Sequence, residues 1–337
     1  MMDLDTRLPT EQPPVAARVR RFALRHKYLP VTATAVLISL MYGLGVINYS
    51  GFSDTQIVLN IFIDNAFLLV VAVGMTFVIL TGGIDLSVGA VVALTTMVVA
   101  LLLENGWPAA VVLPVALLMG ATIGLGMGLM IHYFEVQPFI ATLAGMFLAR
   151  GLCYVISTES IGIDDPFWER VANAQIWFGG WFITISVLVA LVVVLIAAYV
   201  LAYTKFGRDV YAVGGNPQSA MLMGLRVGRT RIAVYTISGL CSGLGGVLLS
   251  FYMLSGYGLH ASGMELDAIA AVVIGGTLLT GGSGYLLGTV LGVLVLGLIQ
   301  TIITFQGDLS SWWTKIFIGL FLFVFIVLQR AVTRRRR

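Results

Sequence analysis

Apolar stretches recur along the whole chain, at about 28–48, 57–80, 86–103, 108–131, 138–156, 177–203, 231–253, 267–280, 285–303 and 312–330. A helix of about 20 apolar residues is long enough to cross a bilayer, and only the eighth stretch falls well short. The expected fold is an all-α polytopic membrane protein of about ten transmembrane helices in one membrane domain. Composition excludes a soluble globular chain: 59% of the 337 residues are hydrophobic and 10% are charged, where a soluble domain carries about a quarter charged. The expected division is a basic tail over 1–27, a membrane domain over 28–331 and a basic C-terminal tail over 332–337. No cleavable signal peptide is evident in the arginine-rich start.

Charge placement orients the bundle. An even number of spans puts both ends on one side, and lysine and arginine mark the cytoplasmic side. The tail holds six basic residues (Arg7, Arg18, Arg20, Arg21, Arg25 and Lys27). The loop 204–231 holds five (Lys205, Arg208, Arg226, Arg229 and Arg231), and the C-terminus five more (Arg330 and Arg334 to Arg337). Only Arg150, Arg170 and Lys315 fall elsewhere. Adding or removing one span before residue 204 would put tail and loop on opposite sides. Both termini are therefore expected to be cytoplasmic. Trp107, Trp168, Trp177, Trp181, Trp312 and Trp313 are expected near the outer interface, where amphipathic rings favour the headgroup depth. Asp54, Glu104, Glu159, Asp164, Asp165, Glu169, Glu265, Asp267 and Asp308 are expected on the same side, either as a solvated face or as a surface for a soluble partner, with Arg170 and Lys315 as counter-charges.

The loop 204–231 contains Gly-Gly-Asn-Pro-Gln-Ser-Ala-Met-Leu-Met-Gly over Gly214–Gly224. Asn216 is an N-cap, and Pro217 stands at the first helical position, where its missing N–H costs nothing. Gly224 can close the last turn in the left-handed conformation. The spacing predicts a helix of roughly two turns, about 10 Å long, too short to be stable alone in water. It reads either as an ordinary capped connector or as an element that docks into a cytosolic motor subunit.

Within the spans, glycines recur at intervals of four (Gly120, Gly124, Gly128; Gly239, Gly243; Gly284, Gly288, Gly292), which lets helices approach closely in lipid. Leu80-Thr81-Gly82-Gly83, followed by Gly89, is echoed by Leu279-Thr280-Gly281-Gly282, followed by Gly288. This weak repeat suits duplicated transporter halves. The eighth span is expected to break around Gly275–Gly284, with irregular backbone sheltered by protein. Thr81, Gly82, Gly83, Asp85 and Ser87 form a candidate cap or cytoplasmic gate, Asp85 standing where a carboxylate caps the third span.

Two ionisable residues lie clearly within spans, Asp64 and Arg150, and such groups are functional candidates by default. Asn60 and Asp64 share a helix face. Asn60, Asp64, Asn65, Thr142 and Arg150 are the candidate pathway residues, with Arg150 pairing with Asp64 or snorkelling outward; an interhelical hydrogen-bond cluster is the competing reading. No phosphate loop is present, since none of Lys27, Lys205 and Lys315 follows glycine. No metal-ligand spacing occurs, His26, His132 and His260 being isolated, and no nucleophile–base arrangement is evident.

The run Val73–Gly89 resembles the signature of the ribose/xylose/galactoside family of ABC-importer permeases. So do Pro138–Leu143 and Gly207–Asn216. Glu265–Thr277 and Ser310–Lys315 narrow the resemblance, and together with Asp64–Leu68 they make the chain most similar to the galactofuranose-importer permeases of that family. The resemblance covers about residues 30–330. It implies a non-enzymatic subunit of a bacterial inner-membrane importer with no cofactor of its own. The implied partners are a sister permease, a cytosolic ATPase whose two nucleotide-binding domains hold ATP and magnesium, and a periplasmic sugar-binding protein. It also implies that Asn216, Pro217, Gln218, Ser219, Met221, Leu222, Met223, Gly224 and Arg226 form the helix that docks on the ATPase. An ion-coupled secondary transporter is a competing class, disfavoured by the single membrane carboxylate. A membrane enzyme or scaffold is disfavoured by the empty catalytic inventory.

Overall fold

The computed structural model describes residues 29–307 and 312–334. The basic tail 1–27, Asp308, Ser310, Ser311 and Arg335 to Arg337 lie outside them. The helices are α1 (Leu29–Asn48), α2 (Thr55–Leu80), α3 (Val88–Glu104), α4 (Ala109–Tyr133), α5 (Pro138–Ile156), α6 (Pro166–Ala172) and α7 (Ile185–Tyr203). They continue with α8 (Lys205–Gly215), α9 (Pro217–Leu222), α10 (Val227–Met253), α11 (Met264–Ile274), α12 (Leu286–Gln306) and α13 (Trp312–Arg334). Four short strands lie between them: β1 (Ile161–Gly162), β2 (Gln175–Phe178), β3 (Trp181–Thr184) and β4 (Ser255–Gly256). Among the described residues, α1, α2, α4, α5, α7, α10 and α12 are long and apolar enough to cross a membrane, and α3 and α13 are shorter apolar helices. The chain is an all-α polytopic membrane protein.

Two of the expected spans are built differently. The sixth was expected over 177–203, but its helix begins only at Ile185. Gly179 and Gly180 both have positive φ, 57° and 90°, the geometry of a two-residue hairpin turn. They fold β2 onto β3, with Phe178 opposite Trp181. The eighth, expected over 267–280, ends as a helix at Ile274. At 11 residues it spans about 16 Å, half of a hydrocarbon core about 30 Å thick. Beyond it the backbone is irregular to Tyr285, with positive φ at Gly276, Gly281 and Gly282, which is the expected glycine break.

The core forms around α2, in which every residue from Leu68 to Leu80 is buried. A helix apolar on all faces has to be enclosed on all faces. Two seams of small residues close the bundle around it. A Cβ on Gly239 of α10 would stand 2.2 Å from the Gly120 carbonyl oxygen of α4, so only glycine permits that approach. The second seam sets Gly288 and Gly292 of α12 against Gly275 and Ala271. Where α2 meets α12, the hydroxyls of Thr76 and Thr289 lie 2.8 Å apart.

Trp168 is enclosed by protein. Asp165 caps α6 by accepting from the backbone N–H groups of Phe167 and Trp168. The short helix thereby sets the Trp168 ring into the bundle, where it is fully buried. Its Nε1–H donates to Ser250 Oγ at 3.0 Å, and the ring packs on Phe251 with centroids 4.6 Å apart. The indole N–H has a partner inside, so the ring can be buried.

Candidate functional site

The loop between α7 and α10 carries two helices where the sequence suggested one. Phe206, Val210 and Val213 fall on one face of α8 at i, i+4 and i+7. Val210 and Val213 are buried, and Phe206 stacks on Phe77 of α2 with centroids 6.2 Å apart. Thr204 caps this helix by accepting from the Gly207 N–H at 3.2 Å. That apolar spacing behind a threonine was the legible signal for α8.

The second helix, α9, matches the expectation in each cap. Asn216 Oδ1 accepts from the Ser219 N–H at 2.9 Å, Pro217 opens the helix, and Gly224 has φ 77°. Its six residues span about 9 Å. Ala220 is buried against the bundle. Met221, Leu222 and Met223 point away and are 65%, 90% and 68% exposed. Arg226 precedes α10 directly, so that helix starts four residues earlier than expected.

The root of α9 lies at the junction of the two Leu-Thr-Gly-Gly motifs. The Gly282 N–H donates to the Leu80 carbonyl at 2.9 Å, and a Cβ on Gly82 would stand 3.3 Å from the Thr280 oxygen. Gly214 lies against both motifs: a Cβ there would fall 1.7 Å from the Leu80 oxygen and 2.5 Å from the Gly282 nitrogen. Tyr211 of α8 adds a hydrogen bond from its hydroxyl to the Gly284 carbonyl at 3.0 Å. The chain just before α9 therefore touches both the end of α2 and the α11–α12 connection through backbone.

Asp85 joins the same connector to the core. It is fully buried, and Oδ1 accepts from the Ser87 N–H at 2.9 Å and the Ser87 hydroxyl at 2.6 Å. Oδ2 accepts from the Ser238 hydroxyl of α10 at 2.7 Å. Thr81 Oγ1 donates back to the Val78 carbonyl at 2.8 Å. Gly83 packs under the Tyr235 hydroxyl. The carboxylate both orders the start of α3 and ties it to α10.

The five candidate pathway residues do not converge. Asp64 is exposed on α2 and accepts from the Tyr252 hydroxyl at 3.2 Å. Asn60 accepts from Gln56 Nε2 at 2.8 Å, and Gln56 also exchanges hydrogen bonds with the Phe182 backbone. Asn65 is one residue further round the helix and turns inward, donating to the Ile61 carbonyl at 2.9 Å. Thr142 is buried; its hydroxyl donates to the Pro138 carbonyl at 2.9 Å and lies 3.4 Å from that of Ile84. It braces the chain just before Asp85. Arg150 does not pair with Asp64. Its guanidinium donates to the carbonyls of Gly258 and His260, two acceptors of the α10–α11 connection whose fixed positions satisfy the planar donor. Burial in that connection pushes the His260 imidazole below its usual range. Lys315, expected as a counter-charge for a partner, pairs within the chain with Asp267 at 2.6 Å.

A glycine-seamed bundle of membrane-length apolar helices, with a short exposed apolar helix between two of them, defines a polytopic membrane protein. Residues 57–326 match the family described as branched-chain amino acid transport system / permease component, and the chain belongs to that family. It is 47% identical over 308 residues to the inner membrane ABC transporter permease protein YjfF of Escherichia coli K12, covering 90% of this chain and 93% of that protein. It is 43% identical to the fructose import permease protein FruG of Bifidobacterium longum, covering 94% and 95%. Against the ribose import permease protein RbsC of Haemophilus influenzae the identity is 37%, covering 86% and 90%. No solved structure matches.

Proposed function

We propose that this chain is the permease subunit of an ATP-driven sugar importer of the bacterial inner membrane, with both termini cytoplasmic. It forms the translocation path with a sister permease. A periplasmic binding protein delivers the sugar, and a cytosolic ATPase with two nucleotide-binding domains grips α9. The observation that carries this reading is Leu222, 90% exposed at the tip of a capped helix whose root touches both repeat motifs. Three consecutive exposed apolar residues outside the membrane spans need a protein cleft, and methionines on either side adapt to its shape. Closure of the ATPase around nucleotide moves α9, and the Gly214–Leu80–Gly282 contact passes that motion to α2 and α12. FruG and RbsC, named as sugar import permeases, align over nearly their whole length, which supports a monosaccharide as cargo. Galactofuranose is the proposed sugar, on the resemblance carried by Asp64–Leu68 and the Trp312–Lys315 stretch.

Asp64 marks the surface toward the sister permease and the path. A carboxylate exposed on a membrane helix is costly in lipid, and the Tyr252 hydroxyl alone does not shelter it. The deciding experiment is reconstitution in liposomes. Galactofuranose uptake that needs ATP, the ATPase and the binding protein supports the reading. Uptake driven by an ion gradient without the ATPase overturns it.

A further inference from the structure

A second polar feature lies away from Asp64, in a cavity of about 670 Å³ framed by α2, α11, α12 and α13. Its size falls within the range of about 300–1,000 Å³ typical of small-molecule sites. Asn65 stands in it, nearly buried at 7% exposure. The Asn65 amide offers two donors and an acceptor, and the Ile61 carbonyl takes one donor. Gln300 and Thr304, one turn apart on α12, also line it, as do Asp267 and Lys315. Trp312, 76% exposed, stands among the lining residues.

Two physical arguments narrow what this cavity holds. Gln300 and Thr304 belong to a membrane-spanning helix and are exposed, and exposed polar groups at such positions are disfavoured against lipid tails. Among the described lining residues the charged ones are Asp267 and Lys315, which pair with each other at 2.6 Å, so neither offers an uncompensated charge to an ion. What remains is a ring of neutral donors and acceptors beside an aromatic face. We infer that the cavity is a binding site for a neutral, hydroxyl-rich solute, a monosaccharide, on its way through the permease. Asn65 and Gln300 supply the amide contacts, and the Asp267–Lys315 pair supplies an acceptor and a donor. This rests on the sugar-importer reading.

The test uses the assembled importer in vesicles with Thr304→Cys as a reporter, labelled by a membrane-impermeant methanethiosulfonate. Native Cys153 and Cys241 are buried, which keeps background labelling low. Methyl β-D-galactofuranoside, D-ribose and D-fructose are each titrated. Labelling is expected to slow about fourfold once a bound sugar stands at about three times its Kd, because three quarters of the cavities are then filled. Asn105→Cys, exposed outside the cavity, is expected to label at the same rate with or without sugar, and Gln300→Leu to abolish the protection. Unchanged labelling at Thr304→Cys in vesicles that still take up sugar with ATP overturns the cavity assignment and leaves the importer standing. Unchanged labelling together with no ATP-driven uptake of any of the three overturns both.

Discussion

The N–H of Gly282 donates to the carbonyl of Leu80 at 2.9 Å, so two Leu-Thr-Gly-Gly motifs about two hundred residues apart close onto each other. Gly214, three residues before α9 begins, is wedged against the same pair of atoms. A repeat that in the sequence reads as a trace of duplication is, in the folded chain, the bearing against which the root of the exposed helix rests.

Leu222→Asp is expected to abolish ATP-driven uptake. A docking anchor is worth about 2 kcal/mol or more, roughly a 30-fold loss of grip. The side chain is 90% exposed, so abundance in the membrane is expected to be unchanged on immunoblot. ATP hydrolysis is expected to persist without transport. Unchanged uptake would remove α9 from the coupling path.

Gly214→Ala is expected to force the bearing apart. Its Cβ would overlap the Leu80 oxygen, and overpacking of this kind costs about 1–3 kcal/mol. The melting temperature of the detergent-purified chain should fall by several degrees and uptake should be lost. Gly215→Ala is the control, since a Cβ there meets nothing within 4 Å. Equal melting temperatures for the two variants would refute the wedge.

Asp85→Ala leaves the Ser87 N–H and the Ser87 and Ser238 hydroxyls without their shared acceptor. Each buried group left unsatisfied costs about 1–3 kcal/mol, so poor accumulation in the membrane is expected. Asp85→Asn keeps an oxygen for Ser87 and turns an N–H toward Ser238, whose hydroxyl can accept it. It is expected to restore most of the accumulation. Identical behaviour of the two would show that charge, not hydrogen bonding, holds the connector.

Asp64→Ala is expected to impair transport more than assembly. The residue is exposed, and its one side-chain partner among the described residues is Tyr252. Copurification of the sister permease and the melting temperature should hold while uptake falls. Normal uptake would demote the Asp64–Tyr252 pair to helix packing.

Local chemistry by itself determined the class of this protein, the positions of most of its spans and the caps of α9. Apolar runs of membrane length, Asn-Pro before a short helix and a glycine after it act within a few residues of themselves. The amphipathic α8 was legible too, in Phe206, Val210 and Val213, but passed as loop beside the stronger Asn-Pro signal. Tertiary structure alone decided which side chains face each other. It enclosed the Trp168 ring in protein, where Ser250 offers its N–H a partner. It gave Arg150 to two loop carbonyls instead of Asp64, and it turned Asn65 and Asp64 to different surroundings although they are neighbours in sequence. Spacing along one helix gives the direction of a side chain; what stands opposite depends on residues a hundred or more positions away, and only the packed bundle brings them there.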